Sequence, residues 1–279
     1  MKILVNNVNI SYNKVGSGPP LLLLHGYPQN KLMWRKIIPL LSKHYTVISS
    51  DLRGYGDSDK PISEKVNLYS KREMAKDQVF LMKKLGFDSF FAIGHDRGAR
   101  VFHRAALDYS DSIKKLVLID IVPTNHIYQN LTKEISQSFF HWFFLSQKSP
   151  FPEKIILNNK SFYIKSMLGR LGSVNNFLNN DIIEIYIKKF SKKSIFASCE
   201  DYRAGATIDL KHQLMDKNKI ACPTLILWGD SSLVGKNFKP LEVWKSYCKI
   251  LKGYALKGGH YLPEENPKEV ASKINNFLM

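Results

Sequence analysis

Cysteine is scarce. The 279 residues hold three, Cys199, Cys222 and Cys248, widely spaced and without a C-x-x-C pair. That spacing excludes a disulfide framework and a cysteine zinc site, and it fits a reducing, cytoplasmic compartment. Long apolar runs are also missing. The strongest, at 21–24 and 139–145, are far too short to span a bilayer. The opening segment MKILVNNVNISYNK lacks the sustained apolar stretch of a secretion signal. Acidic residues are in deficit, 24 against 41 Lys and Arg, for a net charge of +17. No segment forms a Lys/Arg block, however, and the lysines are spread among acids along the whole chain. This argues against a nucleic-acid partner or a membrane surface and leaves a positive field that draws in small anions. No internal repeat or low-complexity segment is present.

What is present suits a soluble α/β protein. The 44% apolar content is that of a globular chain, and the length allows one large domain with an insertion. Short apolar runs at 3–5, 10–12, 21–24, 47–50, 90–93, 116–119, 224–228 and 253–256 read as buried strands. Helical patterns fall at 34–42, 70–85, 97–109, 241–247 and 267–277. Alternating strands and helices predict a mostly parallel, eight-stranded sheet covered on both faces. From about Pro123 to His212 the alternation stops, and aromatic-rich helical segments take over. The expected organisation is a core of 1–122 and 213–279 with a helical cap of 123–212.

The stretch Phe90-Phe91-Ala92-Ile93-Gly94-His95-Asp96-Arg97-Gly98 is an apolar strand entering a glycine-flanked turn. A bare G-x-D-x-G is common in surface loops. Here its place after a strand and before a helix makes it a nucleophile elbow, in which a sharp turn lifts one side chain clear of the sheet. That side chain is the carboxylate of Asp96, already ionised at neutral pH and able to displace a leaving group from saturated carbon. A covalent ester on Asp96 then needs a base. His260 follows two glycines after the last strand, where a loop can aim an imidazole at the elbow. Asp120 ends the strand at 116–119 and is the candidate carboxylate for fixing the His260 tautomer, with Asp230 a nearby competitor. Arg97 and Arg100 lie one and four residues after Asp96, a spacing that lets both guanidinium groups face one pocket and grip a carboxylate.

In His25-Gly26-Tyr27-Pro28-Gln29, Asp51-Leu52-Arg53-Gly54-Tyr55-Gly56-Asp57-Ser58, the Asp96-Arg97-Gly98-Ala99-Arg100 elbow, Asp120-Ile121-Val122-Pro123-Thr124, His141-Trp142, Asp201-Tyr202-Arg203-Ala204 and Gly259-His260-Tyr261, the chain resembles an α/β-hydrolase. Within that superfamily it is similar to the haloacetate (fluoroacetate) dehalogenases. The segments occur in the family's order over nearly the full length, and the Asp-Arg-x-x-x-Arg elbow with the His-Trp pair is the discriminating part. The resemblance implies dehalogenation of short 2-haloacids through an aspartyl ester, with no metal and no organic cofactor. It assigns His141, Trp142 and Tyr202 to the halide, with Tyr128, Tyr163 and Tyr186 as rivals for the tyrosine. It places an oxyanion hole at the backbone N–H groups of Tyr27 and Arg97, and it implies a homodimer built partly through the cap. The rival readings are an epoxide hydrolase, a haloalkane dehalogenase and a non-catalytic ligand receptor of the same fold. The two arginines argue against the first two, and the retained Asp96, Asp120 and His260 against the third.

Overall fold

The computed structural model describes residues 1–63, 66–171 and 177–279. All eight expected strands form: β1 (Lys2–Val5), β2 (Val8–Val15), β3 (Pro20–Leu24), β4 (Thr46–Ser50), β5 (Phe90–His95), β6 (Ile113–Ile119), β7 (Thr224–Gly229) and β8 (Leu251–Leu256). They make a single sheet in the order β1-β2-β4-β3-β5-β6-β7-β8. The β1–β2 and β2–β4 pairs are antiparallel, and every pair from β4 to β8 is parallel.

Period-two alternation along the parallel strands divides the core. Leu21, Leu23, Ile93, Val117, Ile119, Leu225 and Leu227 face one side, where Trp34, Ile37, Leu41, Val270 and Ile274 cover them. Leu22, Leu24, Ala92, Leu116, Leu118 and Ile226 face the other, against Met74, Val79, Ala99 and Phe102. Such double-sided burial is why these strands read as continuous apolar runs.

The expected helix at 34–42 is divided. A 3-10 turn covers Lys31–Lys36, and a short helix Ile38–Leu41 follows with Pro39 in its first turn. Proline has no N–H to donate to an earlier carbonyl, so it opens the second helix and does not continue the first. The helices Lys71–Lys84, Arg97–Asp108 and Pro267–Leu278 lie within two residues of expectation. Between β6 and β7 the described residues are helical from Thr124–Gln129 to Ile208–Met215, without a strand. No helix among the described residues is long and apolar enough to cross a membrane.

Candidate active site

The parallel strands β3, β5, β6, β7 and β8 point the same way, so the segments that follow them gather at one edge of the sheet, where α/β folds collect ligand-facing groups. Asp96 stands at the turn after β5 with φ 45° and ψ −113°, a conformation that is strained for a residue bearing a Cβ. The turn closes this tightly because its flanking residues are glycines. A Cβ on Gly94 would lie 2.5 Å from the Ala99 backbone, and one on Gly98 would lie 2.5 Å from the His25 carbonyl. The other described non-glycine residues with positive φ are Asn6 and Asn7, in the β1–β2 turn, and Asp120 at φ 54°. Both carboxylates expected to do chemistry are therefore held in backbone states that the surrounding fold must enforce.

Asp120 bonds His260. The imidazole Nδ1–H donates to Asp120 Oδ2 at 2.6 Å, which leaves Nε2 as the basic nitrogen. The other oxygen, Asp120 Oδ1, accepts from the Ser232 hydroxyl at 2.6 Å and from the Gly229 N–H at 3.1 Å. The competitor Asp230 turns away and accepts from the Gly258 N–H at 3.2 Å. Sequence reasoning did not single out Ser232. The structure shows its hydroxyl bonded to the acid that is used. His95 was also missed: its Nε2–H donates to the His260 carbonyl at 2.7 Å and ties the base loop to the elbow. Burial pulls the His95 pKa to about 3, so this ring stays neutral.

Asp96 is 7% exposed. Burial alone would raise its pKa, but the charges of His260, Arg97 and Arg100 outweigh it and keep the carboxyl below its ordinary value. Burial likewise disfavours the His260 imidazolium. The hydrogen bond and charge of Asp120, and the charge of Asp96, outweigh this and raise its pKa. The Tyr27 N–H donates to Asp96 Oδ2 at 2.9 Å, so this donor is already aimed at the carboxyl group that would become an ester carbonyl.

A cavity of about 20 Å³ opens between Asp96, Arg100, Asp120 and His260 on one side and Phe139, His141, Trp142 and Tyr202 on the other. It is lined by all three residues expected to hold a halide. The rival tyrosines are engaged elsewhere: Tyr128 packs on Trp142 and Phe143, Tyr163 accepts the Tyr27 hydroxyl, and Tyr186 donates to Glu264.

The two arginines separate. Arg100 Nη1 donates to the Val122 carbonyl at 2.9 Å and to the Thr124 hydroxyl at 3.0 Å, both neutral, while its guanidinium lies 4.6 Å over the Trp142 ring. Burial and Arg97 lower its pKa to about 10, which still leaves it charged at neutral pH. Arg97 does not line the cavity. Its Nε and Nη2 hold the carboxylate of Asp201, and its guanidinium stacks 4.2 Å over Tyr202. Asp201 appeared in the sequence only as part of a motif. Among the described residues no group of three or more His, Cys, Asp or Glu side chains could hold a metal ion.

The chain is 39% identical over 278 residues to a fluoroacetate dehalogenase from Burkholderia sp., covering 98% of this chain and 91% of that protein. It is 32% identical over 280 residues to a soluble epoxide hydrolase from Corynebacterium sp., covering 99% and 95%. A crystal structure of a putative alpha/beta hydrolase from Nostoc sp. superposes with a TM-score of 0.98 at 45% identity, over 100% of this chain and 97% of that one. The family model described as alpha/beta hydrolase fold matches residues 19–267. The strand order, the elbow and these matches together place the chain in the α/β-hydrolase family.

Proposed function

We propose that this hydrolase removes halide from short 2-haloacids, converting a haloacetate to glycolate through an ester on Asp96. In the first step an Asp96 oxygen attacks the α-carbon, the carbon–halogen bond breaks and the halide leaves with the bonding pair. His141, Trp142 and Tyr202 offer N–H and O–H donors for that leaving group in a site with little room for water. In the second step water adds to the carbonyl carbon of the Asp96 ester, and His260 Nε2 takes its proton. The Tyr27 N–H, with that of Arg97, stabilises the oxyanion. Collapse of this intermediate breaks the bond between the Asp96 carbonyl carbon and the glycolate oxygen. His260 returns its proton to the departing glycolate oxygen, and the second proton of the water is then lost to solvent, which restores the Asp96 carboxylate.

The observation that carries this reading is Arg100, a buried cation in the wall of a very small cavity beside a carboxylate nucleophile, bonded among the described residues only to neutral acceptors. A cation so placed favours a substrate that brings its own negative charge. A cavity of about 20 Å³ holds little more than a water, which argues against a bulky substrate. The epoxide hydrolase reading draws on the Corynebacterium relative and on the Tyr202 hydroxyl. Only one of the four tyrosines considered for the cap, Tyr202, reaches the cavity wall, and Arg100 has no role with a neutral epoxide.

The test is to incubate the purified protein with fluoroacetate, chloroacetate and a small epoxide, following halide with an electrode and diol by chromatography. Halide with glycolate supports the proposal. Diol without halide replaces it by the epoxide reading. The expected homodimer is checked by sedimentation of the same preparation.

A further inference from the structure

Asp201 is completely buried, and it is shared between two cations. Arg97 grips both of its oxygens from the helix Arg97–Asp108, and the Tyr55 hydroxyl donates to Oδ2 at 2.7 Å. The Lys71 ammonium donates to Oδ1 from the first position of the helix Lys71–Lys84. Lys71 also meets a second buried acid from the cap side, Asp209. Its backbone N–H donates to Asp209 Oδ1 at 2.8 Å, and its Nζ lies 3.7 Å from Oδ2. The four charges, Lys71 and Arg97 against Asp201 and Asp209, sum to zero. Burial and the Arg97 cation pull the Lys71 pKa down, while Asp201 and Asp209 oppose the loss of its proton. This cluster adjoins the reacting groups. Arg97 follows the nucleophile directly, and Tyr202, next to Asp201, forms part of the cavity wall.

We propose that Lys71 is a positioning residue for the anionic substrate: it compensates the second buried carboxylate, so that the cluster of Arg97, Lys71, Asp201 and Asp209 presents no net negative charge beside Asp96. This rests on the haloacid reading above. Without the Lys71 ammonium the cluster carries one uncompensated negative charge in a buried setting, where Coulomb energies are only weakly screened. A second carboxylate must then bind close to two existing ones, Asp96 and the unbalanced acid. Arg100, whose protein partners are neutral, would be offset by that extra charge. Affinity for an anion falls, while the groups that carry out displacement and ester hydrolysis remain in place.

The experiment compares the wild-type protein with Lys71→Met and with Lys71→Met/Asp209→Asn. It measures KM and kcat for chloroacetate, and the Kd for glycolate by calorimetry. Lys71→Met is expected to raise KM and Kd on the order of tenfold, as for one uncompensated unit charge near the ligand at the intermediate dielectric of a protein interior, with kcat within about twofold. The double variant restores charge neutrality, and its amide still accepts from the Lys71 N–H, so both constants should return to within about twofold of wild type. A packing role predicts no such rescue.

Unchanged KM and Kd in Lys71→Met, a loss confined to kcat, or a double variant no better than the single one would overturn the inference. If Lys71→Met does not fold, the double variant decides alone: wild-type Kd supports the inference and a raised Kd refutes it. A wild-type protein that neither releases halide nor binds glycolate removes the haloacid reading and this inference with it. A wild-type protein that does both, with indifferent Lys71 variants, removes this inference only.

Discussion

Arg97 and Asp201 stand 104 positions apart and are joined at three points, Nε to Oδ2 at 2.9 Å, Nη2 to Oδ1 at 2.6 Å and Nη2 to the Asp201 carbonyl at 2.9 Å. The spacing of Arg97 and Arg100 after the nucleophile suggested two equivalent hands for a carboxylate. The fold gives them different work. Arg97 pins the helix Lys192–Ala206 to the elbow and supports Tyr202 beneath its guanidinium, whereas Arg100 faces the cavity with neutral partners.

From this asymmetry follows a prediction for Arg100. Arg100→Leu should raise KM for chloroacetate and lower kcat/KM by at least about tenfold, as expected when a charge-assisted contact is lost. Steady-state kinetics on the purified variant measure it. An unchanged kcat/KM would remove the basis for a substrate that carries a carboxylate.

Ser232 offers a more selective probe. Its hydroxyl and the Gly229 N–H both hold the Asp120 oxygen that His260 does not use. Ser232→Ala removes one of the two donors to that oxygen and loosens the orientation of Asp120, and through it that of the base. Ester hydrolysis should slow by about tenfold, the scale of one hydrogen bond to a charged acceptor. The first release of halide, which uses neither Asp120 nor His260, should keep its rate. Rapid-quench measurement of both phases checks this, and equal slowing of the two would argue against the division of labour.

The same division gives a pH signature. In the resting protein, burial works against the His260 imidazolium, but Asp120 and then Asp96 hold its pKa above the ordinary value. Esterification of Asp96 abolishes the second of these charges. The His260 pKa should therefore drop in the intermediate, and the base should lose activity only at a lower pH. The acid limb of single-turnover ester hydrolysis should accordingly lie below the His260 titration seen by NMR in the resting protein. Displacement itself should stay flat through the neutral range, because Asp96 remains ionised there. An acid limb at or above the resting titration would mean that Asp96 is still charged when water attacks.

Much of this arrangement was legible in the sequence because it is local or periodic. Double-sided burial wrote the strands as apolar runs, and the elbow announced itself through two glycines around Asp96 at a strand end. Asp120 and His260 followed from their places after β6 and β8. The contacts that were not legible are those made across long separations by residues with ordinary local roles. Nothing near Lys71 marks it as a partner of Asp201, 130 positions away. Ser232 carries no local signal of its own, yet a hydroxyl at that turn places a polar atom beside the sheet edge, where it serves an acid from the neighbouring strand. Arg97 was misjudged for a related reason: helical spacing fixes the face of a side chain but not which carboxylate reaches it first.

The last prediction separates attack by Asp96 on carbon from attack by a water that Asp96 activates. If the carboxylate itself displaces halide, water enters only at the ester carbonyl. A single turnover in heavy-oxygen water should then yield glycolate carrying ordinary oxygen from Asp96, with the heavy isotope in the peptide that contains that residue. His260, bonded to Asp120 at 2.6 Å, is needed only for the second step. His260→Ala should therefore release about one equivalent of halide per site and stall, with the glycolyl ester visible by intact mass. Asp96→Asn should release none, because a neutral amide is a much weaker nucleophile than the ionised carboxyl that the surrounding cations maintain. Heavy oxygen in the first-turnover glycolate, together with the absence of a mass adduct in His260→Ala, would make Asp96 a general base. The strained turn at φ 45° would then serve to orient a water, not to present a nucleophile.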